Sequence, residues 1–410
     1  MKGTPRHEGE VRMAVTTRGV DRKRHSVEPA RAIHRVLLVD TLSGTNDYGV
    51  ALASSLSQRV SLTVITVANT LLTTAPTMRV LPVVLRYGDT RGRLRKVPDV
   101  LKYVWVLARE LWRHRNDCVH VQFFRLPAVE VPLYVFARPW LRCLVHTAHN
   151  ALPHERRWWH GLLYRVWYRL VDRIHVLGQH TATELVRMGI HGERITVIPH
   201  GNYDDFARRH PPARRDVTRA RLGIPQDAVL FLQYGNLREY KGAPRLIDAF
   251  CSPDLSARSY LVVAGWGEEG RYAELSNRLC RSGRSSRGLF LKGFLSDQQL
   301  SDLIEASDVL VFPYVAISQS GALLLGMSYG KAIIASDLPG FRDYAQHQVD
   351  ALLVDTADLA EMTRAMSTLC EDEALRERLG RNARGRAATE YSWPRITSDL
   401  VRLYRPRGEG

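Results

Sequence analysis

Apolar residues in this chain gather in short runs rich in Val, Ile and Leu. Between the runs they return every three or four positions, the spacing of one buried helical face. The runs in the first half are RVLLVD (35–40), SLTVIT (61–66), CVHVQF (118–123), LRCLVHTAH (141–149), RIHVLG (173–178) and ITVIP near 194–199. The second half repeats the rhythm with VLFLQYG (229–235), YLVVAGW (260–266), LFLKGF (289–294), VLVFPY (309–314), KAIIAS (331–336) and ALLVD (351–355). Runs without polar alternation, joined by helical stretches, predict parallel strands covered on both faces, hence an α/β chain of two doubly wound, Rossmann-like units. Residues 200–216, HGNYDDFARRHPPARRD, show no period and predict a linker. The expected organisation is a disordered basic tail over 1–30 and one unit over 31–205. A second unit follows over 206–390, then a helix over 391–410 packing back toward the first unit. From Asp372 to about Tyr404 the pattern is helical, with one break expected at Pro394. Two such units set their strand carboxyl ends along a shared cleft, a geometry suited to two substrates meeting.

Composition narrows this. With 410 residues, 45% hydrophobic and 24% charged, the chain is long enough for two cores, which excludes a small disulfide module and a wholly disordered protein. Its five cysteines are scattered and form no CxxC pair, which predicts reduced thiols in a cytoplasmic protein. Neither uncharged stretch, Val60 to Met78 or Val309 to Gly330, is apolar enough for a membrane span, and the first 30 residues lack an apolar signal core. The net charge is +16, and only seven of the 58 basic residues are lysines. That excess sits in residues 31–205, with 23 basic against 13 acidic side chains, while 206–410 hold 28 against 25. It concentrates in 86–115 and 155–173, where Trp and Tyr interleave with arginine. Two readings stand: the aromatics pack on the unit's own core, or they dock on an anionic membrane. No nucleic-acid motif accompanies the charge, so no nucleic-acid partner is expected.

The candidate chemistry follows strand ends. After VLFLQYG, Gly235 allows a tight turn, and Arg238 and Lys241 precede a helix opened by Gly242, an arrangement suited to a diphosphate. Gly265, in AGWGEE, admits close backbone approach to a ligand or serves an ordinary turn. Phe294 and Leu295 end LFLKGF, where backbone groups can meet a base edge. Ser318, Gln319, Ser320 and Gly321 open a helix whose free N–H groups face the cleft.

In this order, GNLREYKG, AGWGEE and SQSGALLLGMSYGKAIIAS resemble the nucleotide-sugar lobe of glycosyltransferase family four, of GT-B fold, over roughly residues 35–400. The resemblance implies that Arg238 and Lys241 hold a donor diphosphate and that Ser320 and Gly321 offer it backbone donors. It places the acceptor in the first unit. One departure is that the family's two glutamates, eight residues apart, fall here on Ile317 and Leu325, so sugar hydroxyls are left to Ser318, Gln319 or backbone.

In the first unit, LVDTLSGTNDYG sets Gly44 where family members bring backbone near the donor phosphates; Asn46 and Asp47 also suit a plain turn. HTAHNALPHE resembles the family's Thr-x-His-Asp/Asn turn and singles out His149 as the residue that bonds the transferred sugar or takes a proton. His146 falls on the opposite strand face, so the pair is not a zinc site. No DxD precedes a strand, and Asp204 and Asp205 lie in the linker, so no metal and no cofactor is expected beyond the nucleotide sugar as co-substrate. The implied activity is hexosyl transfer from a nucleoside-diphosphate sugar to a saccharide acceptor, lipid-linked by first choice, at the cytoplasmic membrane face, in polysaccharide or glycolipid synthesis. Retention of anomeric configuration is implied. The missing glutamates leave inversion open, with His149 or Asp47 as base. A small natural-product acceptor, a nucleotide-sugar epimerase and a non-catalytic partner subunit are the alternatives.

Overall fold

A computed structural model describes residues 35–42, 47–84, 92–152, 160–317 and 319–405. The basic tail 1–30, Gly44 and Ser318 lie outside them. The first sheet is built from β1 (Arg35–Asp40), β2 (Ser61–Val67), β3 (Met78–Val84), β4 (Cys118–Phe123), β5 (Cys143–Ala148), β6 (Arg173–Val176) and β7 (Ile195–Val197). All pairings are parallel, in the order β3-β2-β1-β4-β5-β6-β7. β8 (Val229–Tyr234), β9 (Ser259–Gly265), β10 (Gly288–Lys292), β11 (Val309–Phe312), β12 (Ala332–Ser336) and β13 (Leu352–Val354) form a second parallel sheet, ordered β10-β9-β8-β11-β12-β13. Helices cover both faces of each sheet, so successive strand residues enter different cores. Val36 and Leu38 join one apolar cluster, and Leu37 and Val39 the other.

The structure adds β3 to the strands that the sequence pattern supplied. Its Pro82 removes one ladder donor, and the strand accordingly sits at the sheet edge, where a proline is tolerated and the alternation is blurred by half-burial. Residues 200–216 are more ordered than a linker reading implied. They hold a helix, Asp204–Arg209, and His200, Asn202 and Phe206 are buried. The helical stretch after Asp372 breaks upstream of Pro394, not at it. One helix spans Glu373–Thr389, and Pro394 takes the first turn of the next, Trp393–Leu403, where its missing N–H costs nothing.

That last helix returns to the first lobe. Ile396, Leu400 and Leu403 enter the same cluster as Val36 and Leu38, and Thr397 shares a hydrogen bond of 3.1 Å with Ser55 of the first helix, Asp47–Leu56. In both sheets the strand order reverses between the first-formed strand and its later neighbour, at β1/β4 and at β8/β11. Such reversals open a crevice at the strand carboxyl ends, which is where the candidate residues lie.

Candidate active site

In the second lobe, β8 delivers Gly235 with φ of 103°, a left-handed turn off the sheet. Residues Glu239–Lys241 make one 3₁₀ turn, and Gly242, at φ of 64°, opens the helix Ala243–Phe250. A Cβ on Gly242 would stand 1.8 Å from the Pro313 carbonyl oxygen, so this loop and the loop after β11 meet backbone to backbone. The Gln233 amide donates to the Lys241 carbonyl at 2.8 Å, fixing the turn.

Lys241 is held over the Tyr314 ring, its ammonium 5.4 Å from the ring centre, and no carboxylate pairs with it among the described residues. Burial pushes its pKa down to about 8, and the neighbouring Arg238 charge adds to the fall. A half-buried ammonium without a counter-charge is a site that an anion stabilises. Arg238 itself is exposed at the mouth of the turn.

Around this pair the predicted residues divide. Ser320 caps the helix Gly321–Ser328, its hydroxyl accepting from Leu323 N–H at 3.2 Å. Gln319 Oε1 is buried and unbonded among the described residues, as is Gln233 Oε1. Gly265, read as admitting a ligand or serving an ordinary turn, has a close neighbour within the protein: at φ of 145° its Cβ would lie 2.0 Å from the Gly235 oxygen. The glycine is thus demanded by the contact of two loops. β10 ends at Lys292, and the Phe294 side chain beyond it is 88% exposed, near the end of the strand whose neighbour leads to half-exposed Trp266. Ile317 and Leu325 both pack on the second lobe's core.

The first lobe contributes His149 from the end of β5. Its ring stacks on Phe123, with centroids 4.1 Å apart, and meets the Tyr48 ring edge-on at 5.3 Å; its Nε2 lies 3.1 Å from Gln122 Oε1. Burial, reinforced by His175, His200, His146 and His120, drives its pKa well below the ordinary value, so the imidazole is neutral at neutral pH. His146 lies on the other face, bonded to the Val121 carbonyl at 3.0 Å. Asp47 opens the first helix and ion-pairs with Arg209. Asp204 and Asp205 pair with Arg384 and Arg208. No group of three His, Cys, Asp or Glu side chains among the described residues is arranged to hold a metal ion.

A file of rings joins the two halves. Tyr48 packs on His200 at 4.6 Å, His200 stacks on Tyr203 at 5.3 Å, and a Cβ on Gly321 would stand 2.5 Å from the Tyr203 hydroxyl. The helix start at Gly321 is therefore linked through three side chains to His149. Tyr48, His200 and Tyr203 went unmarked in the sequence, although a histidine and a tyrosine in a stretch otherwise typical of a surface linker were a usable signal. A cavity of about 710 Å³, bounded by Asp337, Arg342, Arg386 and Glu390 among others, lies by the chain crossing, with Arg342 paired to Asp337 and Arg386 to Asp350.

Two parallel, doubly wound lobes with a crevice between their switch points define the GT-B class. Two family models match in tandem, Glycosyltransferase Family 4 over residues 42–203 and Glycosyl transferases group 1 over residues 214–386. The chain belongs to glycosyltransferase family four. Relatives include the D-inositol 3-phosphate glycosyltransferase of Xylanimonas cellulosilytica, 29% identical over 233 residues, 54% of each chain. The alpha-D-kanosaminyltransferase of Streptomyces kanamyceticus is 25% identical over 217 residues, 53% of this chain and 55% of its own. The chain thus spans about half the length of the curated relatives it matches. Among solved structures, Anabaena HepE in complex with UDP and glucose has a TM-score of 0.67 at 19% identity, covering 90% of this chain and 98% of its own. WaaG, a glycosyltransferase involved in lipopolysaccharide biosynthesis, has a TM-score of 0.61 at 19% identity, covering 89% and 99%. These likenesses show the fold.

Proposed function

We propose that this protein transfers a hexosyl unit from a nucleoside-diphosphate sugar to a saccharide acceptor carried on a lipid. The observation that carries the reading is Lys241, a half-buried ammonium without a carboxylate partner among the described residues, set at the switch point beside Arg238 in the lobe whose helix Gly321–Ser328 also opens there. Lys241 and Arg238 neutralise the leaving diphosphate as its charge develops, and the first N–H groups of that helix add their dipoles. The sugar lies toward His149 and Gln319, whose unbonded amide oxygen takes a hydroxyl hydrogen in place of the glutamates that the family carries. Retention follows if the departing phosphate oxygen removes the acceptor proton on the face it leaves. HepE and WaaG, crystallised with UDP and glucose and named for lipopolysaccharide synthesis respectively, support the donor and acceptor classes.

A surface feature supports a lipid setting. Three helices, Arg93–Arg113, Pro127–Ala137 and His160–Leu170, cover one face of the first sheet. Tyr103, Trp167 and Tyr168 point into its core, while Leu101, Trp105, Trp112, Phe136 and Leu162 are exposed. The guanidiniums of Arg109 and Arg115 lie over the Trp105 and Trp112 rings at 4.7 and 4.8 Å. The first group packs on the lobe's own core, and the exposed second group is what supports docking on an anionic surface. No helix among the described residues is long and apolar enough to cross a membrane. The kanosaminyltransferase relative favours a second reading, a small natural-product acceptor, for which vesicles leave rate and location unchanged.

The test is a panel of UDP-, GDP- and ADP-sugars, read first by thermal shift and then by turnover with lipid-linked saccharides. Lys241→Ala should lower transfer at least 100-fold while leaving the melting temperature within about 2 °C of wild type; retained transfer removes the diphosphate assignment. Product anomeric configuration by NMR distinguishes retention from inversion. Conversion of donor without acceptor would assign the chain to the epimerases, and activity appearing only with a second protein would make it a partner subunit.

A further inference from the structure

We propose that His149 presents Nδ1–H to the crevice as a fixed hydrogen-bond donor, and that a buried file of side chains, Gln122, His120, Thr147, His175 and Tyr404, sets this tautomer. One group in this file has no choice of where its proton sits. His175 Nε2 lies 2.8 Å from the Ile198 carbonyl oxygen, which only accepts, so His175 carries its proton on Nε2. Being buried and neutral, it has a lone pair on Nδ1. Thr147 Oγ1, 2.8 Å away, donates its one hydrogen there. The same oxygen then accepts from His120 Nε2, also at 2.8 Å, so His120 is protonated on Nε2. His120 Nδ1 in turn accepts the Tyr404 hydroxyl at 2.8 Å.

The Gln122 amide stands between two histidines, its nitrogen 3.2 Å from His120 Nε2 and its oxygen 3.1 Å from His149 Nε2. In that sense two N–H donors face each other at His120. Turning the amide end for end keeps every distance nearly unchanged and gives the His120 proton an oxygen. The amide NH₂ then donates to His149 Nε2, which leaves the His149 proton on Nδ1. That nitrogen has no partner among the described residues. His149 so arranged donates to an oxygen in the crevice and has no lone pair there with which to act as a base.

Two features make the file more than local packing. Every member is buried, so water cannot substitute for a missing partner. Its far end, Tyr404, follows the helix Trp393–Leu403, which reaches the first lobe only after the chain has crossed back from the second. The first lobe's site residue is thus positioned by the last described segment of the chain. The five are positioning residues, acting through His149. The identity of the oxygen that His149 meets rests on the proposed transfer reaction; the tautomer does not.

The test is long-range ¹H–¹⁵N NMR on the full chain labelled with ¹⁵N-histidine, with the His149 ring signals assigned by their loss in His149→Gln. The expected pattern is a protonated Nδ1 and an unprotonated Nε2. Thr147→Val keeps the shape and removes the hydroxyl, which frees His120 and Gln122 to reverse. A mixed or inverted His149 pattern should follow, with kcat down about tenfold and the donor KM unchanged. Thr147→Ser should restore both. If Thr147→Val does not fold, Gln122→Met, which keeps the length of the side chain and removes the donor to His149 Nε2, carries the same expected readouts. An Nε2–H tautomer in the wild-type chain, or an unaltered His149 pattern in the folded variant, overturns the proposal. An inactive protein with Nδ1–H sinks the transfer reading alone, and an active one with Nε2–H sinks this one alone.

Discussion

Lys241 is the residue at which burial, charge and proposed chemistry meet most directly. Its pKa falls from 10.5 to about 8 because the folded chain shields the ammonium from water and sets Arg238 beside it. In the unliganded protein the sign is unfavourable to the charge. The penalty is fully present below pH 8, and stability rises between about pH 8 and 10.5 as the folded state sheds a proton that the unfolded chain still binds. On the proposed assignment, diphosphate binding at Lys241 reverses that balance. Affinity for the nucleoside diphosphate should fall between pH 7 and 9 with a midpoint near 8, and Lys241→Arg should flatten the slope because guanidinium stays charged. Titration calorimetry in buffers of different ionisation heat measures the proton uptake; a flat profile in wild type would remove Lys241 from the diphosphate. Gly242→Ala attacks the same turn from the backbone. With positive φ and a Cβ 1.8 Å from the Pro313 oxygen, it should cost roughly 3 kcal/mol or more by chemical denaturation. Arg238, Lys241 and His149 were legible from strand-end position. Gln122, His120 and Thr147 were not, because within an apolar strand run a polar side chain says nothing of which partner lies on the next strand.

At the scale of elements, the helix Trp393–Leu403 determines the most. Trp393 is buried between Tyr48 and His200, and its indole N–H donates to the Asn202 carbonyl at 2.9 Å. Trp393→Ala removes a large ring and leaves that carbonyl unpaired, so a loss of about 3–5 kcal/mol is expected from thermal or urea unfolding. A loss under 1 kcal/mol would mean that the crossing segment is not part of the first lobe's core. A contrasting helix, Asp297–Ala306, carries a capping box in which Ser296 accepts from Gln299 N–H and the Gln299 side chain accepts from Ser296 N–H. Ser296→Ala should cost about 1 kcal/mol without changing turnover, since the cap lies outside the proposed site. Elements were the most readable level: eleven of the thirteen strands fall on apolar-rich runs, β7 is shorter than its run, and β3 hides behind Pro82.

For the whole molecule, charge is placed unequally. The lobe over 31–205 carries the arginine excess and the exposed Trp105, Trp112 and Phe136, whereas the lobe that holds Lys241 is nearly balanced. Many of its arginines are structural: Arg219 is fully buried, paired with Asp308 and bonded to the carbonyls of Ala306 and Ala228. Net charge therefore overstates the cations free for a phosphate. If the aromatic face docks on lipid, sedimentation with phosphatidylglycerol vesicles should exceed that with phosphatidylcholine and drop steeply between 0.05 and 0.5 M salt, as the screening length shrinks from roughly 14 to 4 Å. Trp105→Ser with Trp112→Ser should weaken it further while leaving turnover on a short soluble acceptor intact. Equal sedimentation with both lipids would leave the natural-product acceptor as the better reading.

The sequence by itself determined two parallel sheets, the strand ends that bear Lys241 and His149, and the family, because those properties depend on the order of apolar runs and on residues close together in the chain. Only the tertiary structure decided that Asp47 is engaged by Arg209 and that Gly265 makes room for Gly235. It alone linked Gly321 to His149 through Tyr203, His200 and Tyr48. The same holds for Tyr404, 284 positions from the histidine it bonds. Hydrogen-bond polarity and ring contact are properties of distance in space, and parallel strands joined by long crossovers bring together residues that no local pattern relates.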